Sequence, residues 1–250
     1  MKFQTFWSGR RISPYEVLCL RSFTGAGHEI DLHTYDPDMP RLPGVTVCNA
    51  AELLPQSEYR ENVDCFAGHP GVFADHFRYK LLYERGGWWI DTDVMLVGFI
   101  REQMPCVGYQ DAELVNNAIM HFARRHPVMH DCLNATERLR RIGDVVWGTT
   151  GPNLLTEVLT KHGMLHLAAE ASDYYPFNFA DIGDVFRPKR IDDVRKRLSG
   201  ATFLHLWNAK ISERTDKFAE PKPGSWLREE ADRLLGRGEW RIWQAWGRRR

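Results

Sequence analysis

The sequence predicts a single-domain α/β protein. Strand-like and helix-like runs alternate along it, a strand, a helix and a second strand open it, and the helical runs carry start and stop residues where the pattern needs them. Lys2–Trp7 is short and aromatic-rich, and Ser8-Gly9 supplies a turn, so it reads as a buried first strand. Ser13-Pro14-Tyr15-Glu16 then places a cap, a first-turn proline and an acid ahead of Val17, Leu18, Leu20 and Phe23, with Gly25 and Gly27 beyond. That predicts a helix. Residues 28–35 alternate Ile30, Leu32 and Thr34 with polar neighbours and predict a second strand, and parallel neighbours need the crossover helix between them.

The pattern recurs. Residues 73–85 have apolar side chains near helical spacing and stop at Gly86-Gly87, and the runs 88–90 and 94–97 that follow are strand-like. Residues 127–141 and 152–162 predict two further helices, and 201–207 a late strand. From Trp226 the composition shifts toward Arg and Trp, so the expected organisation is a domain over 1–225 and a helical tail over 226–250. Trp240, Trp243 and Trp246 share one helical face, which fits either packing on the domain or peripheral contact with a membrane surface.

Bulk properties narrow the function. At 250 residues, 43% hydrophobic and 26% charged, the chain has the balance of an ordinary soluble globular protein. Its 33 basic and 33 acidic residues cancel, so no whole-chain attraction to nucleic acid or membrane is expected. Five widely spaced cysteines without a Cys-x-x-Cys pair suit a reducing compartment. With no apolar leader pattern at Met1 to Trp7 and no spanning stretch, the expectation is a cytoplasmic protein, at most at the inner face of the membrane.

The sharpest signal is Gly86-Gly87-Trp88-Trp89-Ile90-Asp91-Thr92-Asp93-Val94. Two acids one residue apart at the end of an apolar strand are costly unless a positive charge compensates them. A divalent cation does so: carboxylate oxygens suit Mn²⁺ or Mg²⁺, and phosphate oxygens can fill the remaining positions. The triplet alone is weak evidence; the helix, the double glycine and the apolar flanks make it specific. Neither a Gly-x-Gly-x-x-Gly turn nor a Walker-type loop is present, so a metal must supply much of any phosphate binding.

Residues 73–93, Phe-Ala-Asp-His-Phe-Arg-Tyr-Lys-Leu-Leu-Tyr-Glu-Arg-Gly-Gly-Trp-Trp-Ile-Asp-Thr-Asp, resemble the signature of the DXD-type sugar transferases. They are similar to glycosyltransferase family 32, with its capsular polysaccharide synthesis proteins and yeast mannosyltransferases, and to the glucosyltransferase domains of large clostridial toxins. Phe6-Trp7-Ser8-Gly9, Gly27-His28-Glu29, Asn116-Asn117, Thr150-Gly151-Pro152 and His205-Leu206-Trp207 extend the likeness to about residue 210. Trp88 and Trp89 depart from it, because the family more often has smaller or tyrosine residues there.

The resemblance implies a GT-A fold with a Rossmann-like mixed sheet flanked by helices. It also implies a nucleotide-sugar donor (a UDP-sugar or GDP-mannose), a glycan or glycolipid acceptor, a divalent metal, and retention of configuration. By the same likeness Asp91 and Asp93 bind the metal, His205 is its third ligand, and Lys210 meets the diphosphate. Asp75 and Arg78, three apart on a helix face, turn from a surface ion pair into donor contacts. Trp7 stacks on the nucleobase instead of serving only as a core aromatic. Asn116 and Asn117 are either turn residues or contacts to the transferred sugar or acceptor. Thr150-Gly151-Pro152 reads as an ordinary helix start and stays outside the site. Two other classes compete: a phosphatase built on Asp-x-Asp, disfavoured by Met95 and by the motif's place far into the chain, and a non-catalytic sugar-nucleotide-binding protein of the same fold.

Overall fold

The computed structural model describes residues 1–59, 70–142, 148–212 and 215–249. Strands β1 (Lys2–Trp7), β2 (Glu29–Thr34), β3 (Val45–Asn49), β4 (Gly87–Ile90) and β8 (Ile119–Phe122) form one sheet in the order β3-β2-β1-β4-β8. The first four are parallel and β8 runs antiparallel to β4. Strand β5 (Val94–Leu96) pairs antiparallel with β9 (Phe203–His205), and β6 (Gly108–Tyr109) with β7 (Val115–Asn116). The helices are α1 (Pro14–Thr24), α2 (Pro70–Arg85), α3 (Pro127–Ile142), α4 (Pro152–Lys161), α5 (Ala171–Tyr174), α6 (Ile191–Leu198), α7 (Asn208–Ser212), α8 (Trp226–Leu234) and α9 (Gly236–Arg249). This is the α/β arrangement expected from the sequence.

Side-chain alternation along the strands builds a core on each face of the sheet. Phe3, Ile30, Leu32, Trp88 and Ile90 join α1, β5, β9 and the C-terminal helices on one face. Phe6, Trp89, Met120 and Phe122 join α2, α3 and α4 on the other. The order reverses at β1, which lies between β2 and β4, so the crevice beyond the carboxyl ends of β1 and β4 is where an open α/β sheet takes its ligands. Trp7 ends β1, and Asp91 follows directly on β4.

Two local devices fix connections into and out of the sheet, one after β1 and one before β4. Ser13 and Glu16 close a capping box at the start of α1. Gly86 stops α2 at φ +69°, and a Cβ there would come within 2.4 Å of the Arg124 backbone nitrogen, so only glycine permits the close approach that launches β4.

The sequence left the Trp/Arg-rich segment open between packing and membrane contact. Here the tryptophan face is occupied within the chain. Trp240 and Trp243 are buried in the same core as α1, and the Trp240 ring stands edge-on to Tyr15 at 5.2 Å. Trp226 and Leu227 of α8 are buried there too. Among the described residues no helix is long and apolar enough to cross a membrane. Trp240→Ala therefore opens a cavity at the α1 contact and costs about 3–5 kcal/mol in urea denaturation; an unchanged midpoint, with loss of liposome binding instead, would restore the membrane reading.

His33, on β2, is fully buried, and neither ring nitrogen has a hydrogen-bond partner among the described residues. Burial pushes its imidazole down to about 4, and Arg85 adds to the shift. The unfolded chain thus binds the extra proton between about pH 6.5 and 4, so folding stability falls as pH drops through that window, by about 2–3 kcal/mol in all. His33→Leu removes this part of the slope, which denaturant titrations at pH 7 and pH 4.5 measure directly.

Candidate active site

Asp91-Thr92-Asp93 forms the turn between β4 and β5, tied by the Asp91 N–H to the Ala118 carbonyl (2.8 Å) and by the Val94 N–H to the Asp91 carbonyl (3.1 Å). The antiparallel β5–β9 pair sets Val94 opposite His205 and so brings the late strand to the turn. His205 Nε2 lies 3.2 Å from Asp93 Oδ1, and the Asn208 N–H donates to Asp93 Oδ2 at 2.7 Å. One ligand atom from each of Asp91, Asp93 and His205 falls within 4.8 Å of the other two. Trp207 follows at φ +54°, a costly backbone for an aromatic residue. It is held there by its indole N–H on the Phe177 carbonyl (2.9 Å), with its ring 4.3 Å from that of His205.

A second shell of contacts fixes Asp91. The Trp89 indole N–H donates to Asp91 Oδ1 at 2.7 Å, and the buried Arg78 guanidinium reaches the same oxygen at 3.1 Å. Arg78 also donates to the Asn117 carbonyl (2.7 Å) and pairs with Asp75 (3.4 Å). Asp75 in turn accepts from Asn117 Nδ2 (2.7 Å) and from the Thr150 hydroxyl (2.8 Å). One guanidinium therefore serves two carboxylates, buried Asp75 and half-buried Asp91. Burial pushes the Asp91 carboxyl up, and Arg78 only partly opposes it. Burial acts on Asp93 as well, but the His205 imidazole and its hydrogen bond, with the Asn208 N–H, bring that carboxyl below the ordinary range. Three acids against one arginine, with an imidazole facing the turn, are a donor set short of positive charge. It suits a hard divalent cation.

The structure brings Asp75, Arg78, Asp91, Asp93, Asn117 and His205 together. Asn116 does not face them: its side chain bonds Gln110 and the Ala118 N–H, which is the turn role. Ser8, directly after Trp7, lines an open cavity of about 730 Å³ with Arg10, Tyr35, Asp36 and Tyr59 among others, while the Trp7 ring itself packs against the core that holds α1. Lys210 falls in α7, and its side chain lies outside what the structure describes. The helix-start reading of Thr150 misses its contact with Asp75: the cap of α4 is Gly151, which makes no side-chain bond, and the Thr150 hydroxyl points into the site instead. Trp89 and Asn208 were also missed. The pairing of Trp89 with Asp91 two residues on was available as same-face spacing on a strand, but the backbone donor of Asn208 leaves no trace in residue type.

Two families match this chain. Residues 57–112 match the "glycosyltransferase sugar-binding region containing DXD motif", and residues 121–224 the "alpha 1,4-glycosyltransferase conserved region". The chain is related to the DXD glycosyltransferases. Human lactosylceramide 4-alpha-galactosyltransferase is 27% identical over 150 residues, covering 56% of this chain and 42% of that protein. Human alpha-1,4-N-acetylglucosaminyltransferase is 24% identical over 150 residues, covering 55% and 42%. The match thus spans less than half the length of these relatives. A solved structure, the PaToxG glycosyltransferase, superposes with a TM-score of 0.49 at 14% identity, covering 97% of this chain and 85% of that one.

Thr150→Val tests the second shell around the DXD turn. It leaves a buried Asp75 oxygen without its donor, so stability falls by about 1–3 kcal/mol. A thermal melt indistinguishable from the parent would show that Asp75 does not depend on Thr150.

Proposed function

We propose that this chain transfers a hexosyl group from a nucleotide-diphosphate sugar to a glycan or glycolipid acceptor, using one divalent cation. The observation that carries the reading is the convergence of Asp91, Asp93 and His205 at the switch point of the sheet, where the DXD region matches. Asp91, Asp93 and His205 would hold Mn²⁺ or Mg²⁺, which supplies Lewis acidity toward the leaving diphosphate. The chain's own groups do the rest. Trp89 and Asn208 orient the two carboxylates, Arg78 offsets the charge of Asp91, and the buried setting keeps these interactions strong.

The cavity beyond the end of β1 offers room for the nucleoside, with Tyr35 and Tyr59 as flat faces for the base. Asn117 and Asp75, hydrogen-bonded to each other next to Arg78, are the groups we assign to the transferred sugar. The relatives' names carry alpha linkages, and an alpha product from an alpha-linked donor is retention. UDP-hexoses are accordingly the first donors to try, and GDP-mannose the next.

A donor-hydrolysis assay over UDP-galactose, UDP-N-acetylglucosamine and GDP-mannose with Mn²⁺ tests the reading. Asp91→Asn and Asp93→Asn each lower turnover by at least about 100-fold, and Asp91→Asn also lowers the melting temperature because buried Arg78 loses one of its two carboxylates. His205→Ala raises the Mn²⁺ concentration for half-maximal activity roughly ten-fold. Hydrolysis in either Asp variant at the parent rate would sink the metal assignment; a His205 variant that is unstable yet keeps its Mn²⁺ requirement would return that histidine to the core.

A further inference from the structure

One large apolar side chain near the DXD turn has no part in the reading so far. Phe179, in the loop after Tyr175, is 55% exposed. A single exposed phenylalanine needs no explanation, but this one ends a row of rings that starts at His205. The His205 ring lies 4.3 Å from that of Trp207, and the Phe179 ring meets Trp207 edge-on at 6.2 Å. Tyr175 joins them, 5.9 Å from the His205 ring and 6.3 Å from that of Trp207.

Each member of the row is fixed. The Tyr175 hydroxyl accepts the Ile119 N–H at the start of β8 (3.1 Å). Trp207 is held by the Phe177 carbonyl, and beside it Asn208 Nδ2 donates to Glu16 Oε1 of α1 (2.6 Å). Two side chains close the Phe179 loop: Asn178 Oδ1 accepts the Ala180 N–H (2.8 Å), and Asp181 Oδ1 accepts the Asn178 N–H (2.8 Å). Arg197 then pairs with Asp181 (2.5 Å) and lies over the Phe177 ring at 4.2 Å. Phe179 is therefore carried outward by a braced loop, and a ring already fixed in place loses little freedom when a ligand covers it.

The order of parts along the sheet says which ligand that is. Ser8 and Tyr35, which follow β1 and β2, line the cavity assigned to the nucleoside; Asp91 follows β4; and Asn117, assigned to the transferred sugar, precedes β8. Tyr175 ties the rings to β8, the far side of the DXD turn from that cavity in the order β2-β1-β4-β8. A nucleoside, its diphosphate and its sugar laid out in this order bring the sugar's reacting carbon toward the rings. The molecule beyond it is the one that attacks. A hexopyranose has a face of C–H bonds, whose slightly positive hydrogens suit the negative face of an aromatic ring, and stacking on a fixed ring sets the direction of the hydroxyls around its edge.

We propose that Phe179, braced by Trp207, is the platform for the acceptor, and that the acceptor presents a hexopyranose whose C–H face stacks there while one of its hydroxyls is turned to the donor. The assignment rests on the donor reading given above.

The test measures how the full chain divides the donor between acceptor and water. The chain is incubated with Mn²⁺, with the UDP-hexose or GDP-mannose that it hydrolyses, and with the methyl glycosides of galactose, glucose, N-acetylglucosamine and mannose in turn, and new glycoside is measured against free sugar. That ratio does not depend on how much of a variant is folded, so a merely structural role leaves it alone. In the parent chain one of these glycosides competes with water. Phe179→Ala lowers the ratio about ten-fold or more at an acceptor concentration below KM, through a higher acceptor KM, and Phe179→Tyr keeps most of it. The parent ratio in Phe179→Ala, or a parent chain that hydrolyses the donor yet transfers to none of these glycosides, would overturn the platform. If the parent chain hydrolyses no donor, the donor reading itself falls and the platform with it.

Discussion

The sharing of Arg78 between Asp75 and Asp91 is the interaction on which the crevice depends. A guanidinium taken out of water needs carboxylates, and carboxylates taken out of water need a cation, so each member of the set is costly alone. The arrangement is solved only with partners from several elements. Arg78 and Asp75 come from α2, Asp91 from the end of β4, the Asn117 carbonyl and amide from the turn before β8, and Thr150 from the approach to α4. Removing any one leaves a buried charge or donor unmet, so these elements are locked to a common geometry by electrostatics as much as by packing.

Arg78 cannot balance the whole site. Asp93 lies beyond its reach, and what faces Asp93 is an imidazole, a backbone N–H and, farther off, an ammonium. The shortage of charge sits at the turn where β4 gives way to β5, beyond the carboxyl end of the central strands. Neighbouring apolar side chains are satisfied: Trp88 and Ile90 pack on one face of the sheet and Trp89 on the other. Packing and unmet charge thus separate within a few residues, a separation that marks a working site better than either property does alone.

Much of this was legible in the sequence, for identifiable reasons. The α/β class followed from strand and helix periods with their caps, and the capping box at Ser13 and Glu16 is present in the structure. Asp91 and Asp93 were legible because acids at the end of an apolar strand break the local pattern. His205 was reachable because it closes an apolar run late in the chain, and β9 does pair with β5. Short strands β6, β7 and β8 were not resolved, since two to four residues give no usable period. The helix start at Thr150-Gly151-Pro152 was legible, but the partner of the Thr150 hydroxyl, Asp75, lies far back in the chain and leaves no local spacing. The tryptophans of α9 were ambiguous because one-sided spacing is the same for a face that meets lipid and a face that meets a core. Glu16 showed only its local role; its second partner is distant in the chain and invisible to spacing.

The docking of α9 on Phe218, through Gln244 and Gly247, also orders events in time. The main sheet uses no residue beyond Phe122, so a nascent chain leaving the ribosome has every strand of it long before α9 exists. The DXD turn gains His205 later, with β9. The clamp on Phe218 closes only once Gln244 and Gly247 have been synthesised. With the Arg248–Asp216 pair, these are the last contacts around the crevice, among the described residues, that translation can supply.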